Sequence, residues 1–133
     1  MSKTALIVDD STTMRRMVGL TLRDAGFEVL EGANGREGLS RLDSSVVDII
    51  VTDVHMPVMD GFAMVQAVRE RPKHRFTPIL ILTTEGGDDM KRRGKEAGAS
   101  GWIVKPFNPR LLREVVCRLL RLPYEASAEP KAV

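Results

Sequence analysis

A single cysteine, Cys117, occurs in the sequence, so no internal disulfide can staple the fold. A lone thiol fits a reducing compartment, and the cytoplasm is the expected location. No apolar run reaches the length of a signal-peptide core or a membrane span, and Met1-Ser2-Lys3-Thr4 leads straight into a short strand-like segment. No membrane contact is therefore expected. Charge of one sign is scarce as well: 20 Lys and Arg stand against 18 Asp and Glu, a net +2 that gives no argument for nucleic acid. One basic cluster, Lys91-Arg92-Arg93, leaves room for a local acidic partner. There is no internal repeat. Neither a G-x-G-x-x-G nor a phosphate-loop lysine motif follows the first apolar run, which argues against a nucleotide-binding domain. These exclusions leave one ordinary soluble domain of 133 residues, too short for two cores.

What is present is alternation. Short β-branched apolar runs at residues 4–8, 28–31, 48–53, 78–82 and 101–104 read as strands covered on both faces. Helical periods separate them. In the first, Met14, Met17, Val18, Leu22 and Ala25 share one side, Arg15, Arg16 and Arg23 face away, and Gly26 closes the helix. Asn34 caps a second helix through about Leu42, and a third runs from Gly61 to about Glu70, before Pro72. The fourth spans Asp88 to Ala97 and stops at Gly98; the fifth spans Pro109 to Leu122 behind Asn108. The sum is (βα)5, an α/β doubly wound parallel sheet of the flavodoxin-like order 2-1-3-4-5. Residues 1–122 make the domain, and residues 123–133, with little to bury, read as a flexible tail.

Four of the runs end on residues that can handle a phosphoryl group or a cation: Asp9-Asp10, Asp53, Thr83, and Lys105-Pro106. The carboxyl ends of parallel strands are where open α/β sheets bind ligands. Neighbouring first and third strands bring Asp9, Asp10 and Asp53 together, and three carboxylates so placed need compensation. Mg²⁺, a hard cation with oxygen ligands, is the default, and Lys105 adds a fixed positive charge. A carboxylate beside a cation and an ammonium can attack a phosphoryl group and form an aspartyl phosphate. Thr83 could bond a phosphoryl oxygen. Any one of these residues alone would pass for a helix cap in water; four strand ends together do not.

The pattern Asp9-Asp10, Asp53, Met56-Pro57, Asp60-Gly61, Thr83 and Lys105-Pro106-Phe107 resembles the receiver domain of bacterial response regulators, over about residues 3–122. Asp9-Asp10-Ser11-Thr12-Thr13-Met14-Arg15-Arg16 and Lys105-Pro106-Phe107-Asn108-Pro109 further resemble stand-alone chemotaxis regulators. The resemblance implies that Asp53 is phosphorylated by a phosphohistidine on a sensor histidine kinase. It implies Mg²⁺ held by Asp10, Asp53 and the backbone carbonyl of His55, with Asp9 acting largely through water. Lys105 would contact the phosphoryl group after a cis peptide to Pro106, and Thr83 would move towards it. His55 and Glu85 would flank the group and tune its lifetime. Trp102 stands where receivers carry a switch tyrosine or phenylalanine; it either turns inwards on activation or is a static, half-buried packing residue.

A monomeric signalling switch is therefore expected, not an enzyme beyond its own phosphorylation and dephosphorylation. Nothing resembling an output domain follows residue 122 here, so output by protein binding is expected on the face of the fourth helix, fifth strand and fifth helix. The flagellar motor switch is a candidate target. On that face lie Lys91, Arg92, Arg93, Lys95 and a surplus apolar edge of the fifth helix, with Gly94 loosening the fourth. Cys117 is expected exposed and His74 solvated in a polar turn. A phosphorelay shuttle or phosphate sink is the alternative within the class, separated by onward transfer to a second histidine protein. An Asp-nucleophile phosphatase of the haloacid-dehalogenase type is the alternative outside it. That chemistry needs a second acid two residues past the nucleophile, where this chain has His55.

Overall fold

The computed structural model of the protein describes residues 2–122; the tail expected over residues 123–133 lies outside them. The apolar runs form five strands, β1 (Thr4–Val8), β2 (Glu28–Gly32), β3 (Ile49–Thr52), β4 (Ile79–Thr83) and β5 (Gly101–Val104). Five helices alternate with them: α1 (Thr12–Asp24), α2 (Gly35–Ser44), α3 (Gly61–Arg69), α4 (Asp88–Ala97) and α5 (Pro109–Leu119). Every strand pair is parallel and the order is β2-β1-β3-β4-β5, as the alternation predicts.

Period-two alternation divides the core into two layers. Leu6, Val8, Ile50, Ile79 and Ile81 point to one face and pack with Leu39 and Leu42 of α2, Val65 and Val68 of α3, and Ala97 of α4. Ala5, Ile7, Val51, Leu80 and Leu82 point to the other and pack with Val18 and Leu22 of α1 and Leu112 and Val116 of α5. Side-chain oxygens start the helices: Ser11, Asn34, Asp60 and Asn108 each accept a backbone N–H from the first turn behind them. Gly98, at φ 115, closes α4 in the left-handed conformation that glycine adopts without strain.

Register then aims the strand ends. Val8 pairs with Thr52 and Thr83 with Val104. One residue further on, the Asp9 N–H donates to Gly32 O (3.1 Å), the Asp53 N–H to Val8 O (3.0 Å) and the Lys105 N–H to Thr83 O (2.7 Å). The acids and the lysine therefore leave the sheet at one edge and at one level.

Four expectations need correction. The last helix ends at Leu119, not Leu122, because Arg121 turns left-handed (φ 56) and the Leu122 N–H closes onto Cys117 O at 2.8 Å. Cys117 is half-buried, and burial pushes its thiol pKa up. Met17 falls just off the buried arc of α1 and is half exposed. His74 is not solvated: it closes a 3-10 turn (Pro72–His74), is buried, and its Nε2 accepts the Val47 N–H at 3.2 Å.

An accepting Nε2 requires a neutral ring. Burial first, then the charges of Arg71 and Lys73, hold the His74 pKa below its ordinary 6.5. The unfolded chain then takes up the proton before the folded one as pH falls. The stabilising contribution is present above 6.5 and is lost as pH drops through the lower folded value. Urea unfolding at about pH 7.5 and about pH 5.5 should show the wild type losing more stability than His74→Gln across that interval. Equal losses would show that His74 does not titrate with folding.

Candidate functional site

Asp9, Asp10 and Asp53 each place one carboxylate oxygen so that all three lie within 4.8 Å of one another. Asp9 and Asp53 are buried and Asp10 is exposed. Lys105 comes in from β5 through a cis peptide to Pro106, as the resemblance implies. Its Nζ donates to Asp9 Oδ2 at 2.8 Å and to Asp53 Oδ2 at 2.7 Å. The other Asp53 oxygen accepts the Val54 N–H at 2.6 Å, and the other Asp9 oxygen accepts the Ser11 N–H at 2.9 Å.

Burial by itself would push the Asp53 pKa up. Hydrogen bonds from Lys105 and Thr83, the Lys105 charge and the Val54 N–H outweigh burial and hold it below the ordinary 3.8. For Lys105 burial acts downwards, and the hydrogen bonds and charges of Asp53 and Asp9 carry the pKa above 10.5. The two directions agree, so the pair stays ionised across the neutral range.

One ammonium against three carboxylates leaves a surplus of negative charge at the pocket mouth. The donor set is all oxygen, which suits a hard divalent cation. Both oxygens of Asp9 and of Asp53 already have partners, whereas the Asp10 carboxylate accepts no hydrogen bond among the described residues. Asp10 is thus the most open of the three carboxylates, and Asp9 is committed to Lys105 and its own turn.

The surrounding residues close the pocket. Thr83 is fully buried at the end of β4, and the Glu85 N–H reaches its Oγ1 at 3.5 Å. At the rim the His55 ring lies 2.9 Å from Glu85 Oε1, an exposed pair of small energetic weight. Glu85 also accepts, on its backbone carbonyl, the Trp102 Nε1–H at 2.8 Å. The indole is half-buried, stacks on Phe62 with centroids 6.4 Å apart, and lies against Gly94. A Cβ at Gly94 would fall 2.7 Å from the ring, so the glycine that reads from sequence as loosening α4 is a seat for Trp102.

Three contributors were not legible as site residues. Arg15 does not face away; its Nη1 donates to Asp9 O at 2.6 Å and its Nε to Glu31 at 3.2 Å, bracing the acid turn against β2. Its partner sits on another strand, so no local pattern announces it. A Cβ at Gly61 would collide with the Asp53 carbonyl oxygen, so α3 approaches the site only because residue 61 is glycine. The Asp60-Gly61 pair was the available signal. Val58, exposed, holds φ 70 between β3 and α3, a conformation that costs a β-branched residue on the order of 1–3 kcal/mol.

A five-stranded parallel sheet that gathers three acids, a threonine and a lysine at one edge is the arrangement of a receiver domain. The chain belongs to the response regulator receiver domain family, whose model matches residues 5–117. It is 41% identical over 111 residues to the chemotaxis protein CheY1 of Helicobacter pylori, covering 82% of this chain and 90% of that protein. It is 39% identical over 112 residues to the chemotaxis protein CheY of Pseudomonas aeruginosa, covering 84% and 90%. Among solved structures, the chemotaxis response regulator CheY4 of Vibrio cholerae superimposes with a TM-score of 0.85 at 49% identity, covering 90% of this chain and 99% of that one.

Gly94→Ala sets two effects against each other. Helix propensity favours alanine by about 1 kcal/mol. Against that, the new methyl meets a ring held by a hydrogen bond and a stack, with Ile81 Cδ1 a further 3.1 Å neighbour. The steric term should win: a lower melting temperature together with altered Trp102 emission. A higher melting temperature with unchanged emission would show that the ring yields freely.

Proposed function

We propose that the protein is a phosphorylation-activated switch of a two-component system that accepts a phosphoryl group on Asp53 from a phosphohistidine of a sensor histidine kinase. The observation that carries this is the Lys105 ammonium bridging Asp9 and Asp53 inside the acid cluster. An Asp53 oxygen attacks phosphorus, the bond from phosphorus to the histidine nitrogen breaks, and that nitrogen keeps the electron pair. Lys105 stays within reach of the new phosphoryl oxygens, and the Thr83 hydroxyl donates to one of them. Asp10, Asp53 and the His55 backbone carbonyl, with Asp9 behind them, would hold Mg²⁺, which when bound would supply positive charge to the transferring group. Asp53 is regenerated by hydrolysis, with His55 and Glu85 at the rim tuning how fast water enters.

The output is protein binding at the face of α4, β5 and α5, in the cytoplasm. Lys91 and Lys95 are exposed there beside Val104 and Leu111. The names of the chemotaxis relatives support a chemotaxis role, and a flagellar motor component is the target that the resemblance implies. Among the described residues no helix is long and apolar enough to cross a membrane. A phosphatase reading has no supporting observation, since the position of the required second acid holds His55.

Incubation with a small phosphodonor and Mg²⁺ should give hydroxylamine-labile labelling of the wild type and none of Asp53→Asn. Equal labelling of the variant would sink the assignment. Millimolar Mg²⁺ should raise the melting temperature, because it binds the folded acids and not the unfolded chain. Asp10→Ala should lose most of that rise and Asp9→Ala less; a melting temperature indifferent to Mg²⁺ would remove the cation from the scheme. Beryllofluoride should shift Trp102 emission to the blue if the ring follows Thr83 inwards, and an unchanged spectrum would make Trp102 a packing residue.

A further inference from the structure

The turn between α3 and β4 enters the sheet at the edge opposite the acid cluster, and it carries Phe76. At 89% exposure this is the most exposed large hydrophobic residue among those described. The turn beneath it is pinned. The Arg69 guanidinium donates to the carbonyls of His74 (3.2 Å), Arg75 (3.0 Å) and Thr77 (2.6 Å), and also to Gly98 O at 3.1 and 2.8 Å. Those carbonyls bracket Phe76 on both sides, and the buried His74 ring anchors the same turn to the Val47 N–H. Next to Val47 stands Val46, 61% exposed. A benzyl ring displayed on a backbone already fixed loses little entropy on binding, which is the property of an interface anchor.

Charge along the turn is mostly basic. Residues 69–77 hold Arg69, Arg71, Lys73 and Arg75 against the single acid Glu70. Arg69 is satisfied by carbonyls and Arg71 pairs with Asp43. Lys73 and Arg75 are exposed and form no ion pair with the described residues.

We propose that Phe76, flanked by Lys73 and Arg75, is a second docking surface, occupied by an acidic protein segment that covers the ring with a large apolar side chain. It is separate from the α4–β5–α5 face and from the phosphoryl site, and it stands whether or not Asp53 is the phosphoacceptor.

The test is a random peptide library displayed on phage, panned against the full chain with Phe76→Ala protein as the subtractive control. Because the ring is exposed, Phe76→Ala should melt as the wild type does. Enriched peptides should combine several Asp or Glu with a large apolar residue. Synthetic copies should bind the wild type at least about ten-fold tighter than Phe76→Ala, and also tighter than a Lys73→Glu/Arg75→Glu double variant. No enrichment, peptides without acids, or equal binding to Phe76→Ala would overturn the proposal. Sedimentation equilibrium tests a second copy of this chain as occupant. Cosedimentation with vesicles of equal phosphatidylserine and phosphatidylcholine tests an anionic membrane. Phe76-dependent self-association or vesicle binding would overturn the assignment to a protein partner.

Discussion

Two carboxylates roughly 4 Å apart repel by on the order of 4 kcal/mol at the effective dielectric of a protein surface. Asp9, Asp10 and Asp53 accept that repulsion together, and Lys105 is what makes it bearable. Much of the architecture serves this one balance of charge. The register of β1 against β3 sets the acids level with each other, and β5 delivers the ammonium from the far side of β4. Gly61 lets α3 come close enough to leave the Asp53 backbone undisturbed. Arg15 holds the turn that carries the buried acid.

The fold was legible because each local rule agreed with the others. Alternating apolar runs, Asn34 and Asn108 at helix starts, and Gly98 at a helix end all pointed to one (βα)5 arrangement. The acids were legible for a simpler reason: Asp9 and Asp53 each stand one residue past a strand, Asp10 follows Asp9, and parallel register carries the two strand ends to a common level. What escaped was set by partners distant in sequence. His74 looks like a turn residue until Val47 is placed above it, and Arg15 looks solvated until Glu31 is placed beside it. Gly94 shows a related limit: propensity describes a weak helix position, while the three-dimensional fact is the indole that fills the space.

The charge on α4 is less available than the sequence suggests. Arg92 pairs with Asp89, and Arg93 lies over the Phe62 ring at 4.5 Å. Phe62 in turn stacks with Trp102, so part of the basic run is tied into the packing that holds β5. Glu85 joins the same assembly from the other end, its carboxylate against His55 and its carbonyl against the indole. Backbone motion at Glu85 would reach the rim of the pocket and the tryptophan at once.

Lys105 stands 96 residues from Asp9 and 52 from Asp53 along the chain. During synthesis the acids emerge early and their counter-charge emerges near the end. Until β5 has docked, no partly folded form can bring the ammonium to the carboxylates, and contacts of such long sequence separation are among the last to form. A chain caught before that step has its acids but not the ammonium that balances them. The charge balance at the strand ends is thereby complete only when the sheet itself is complete.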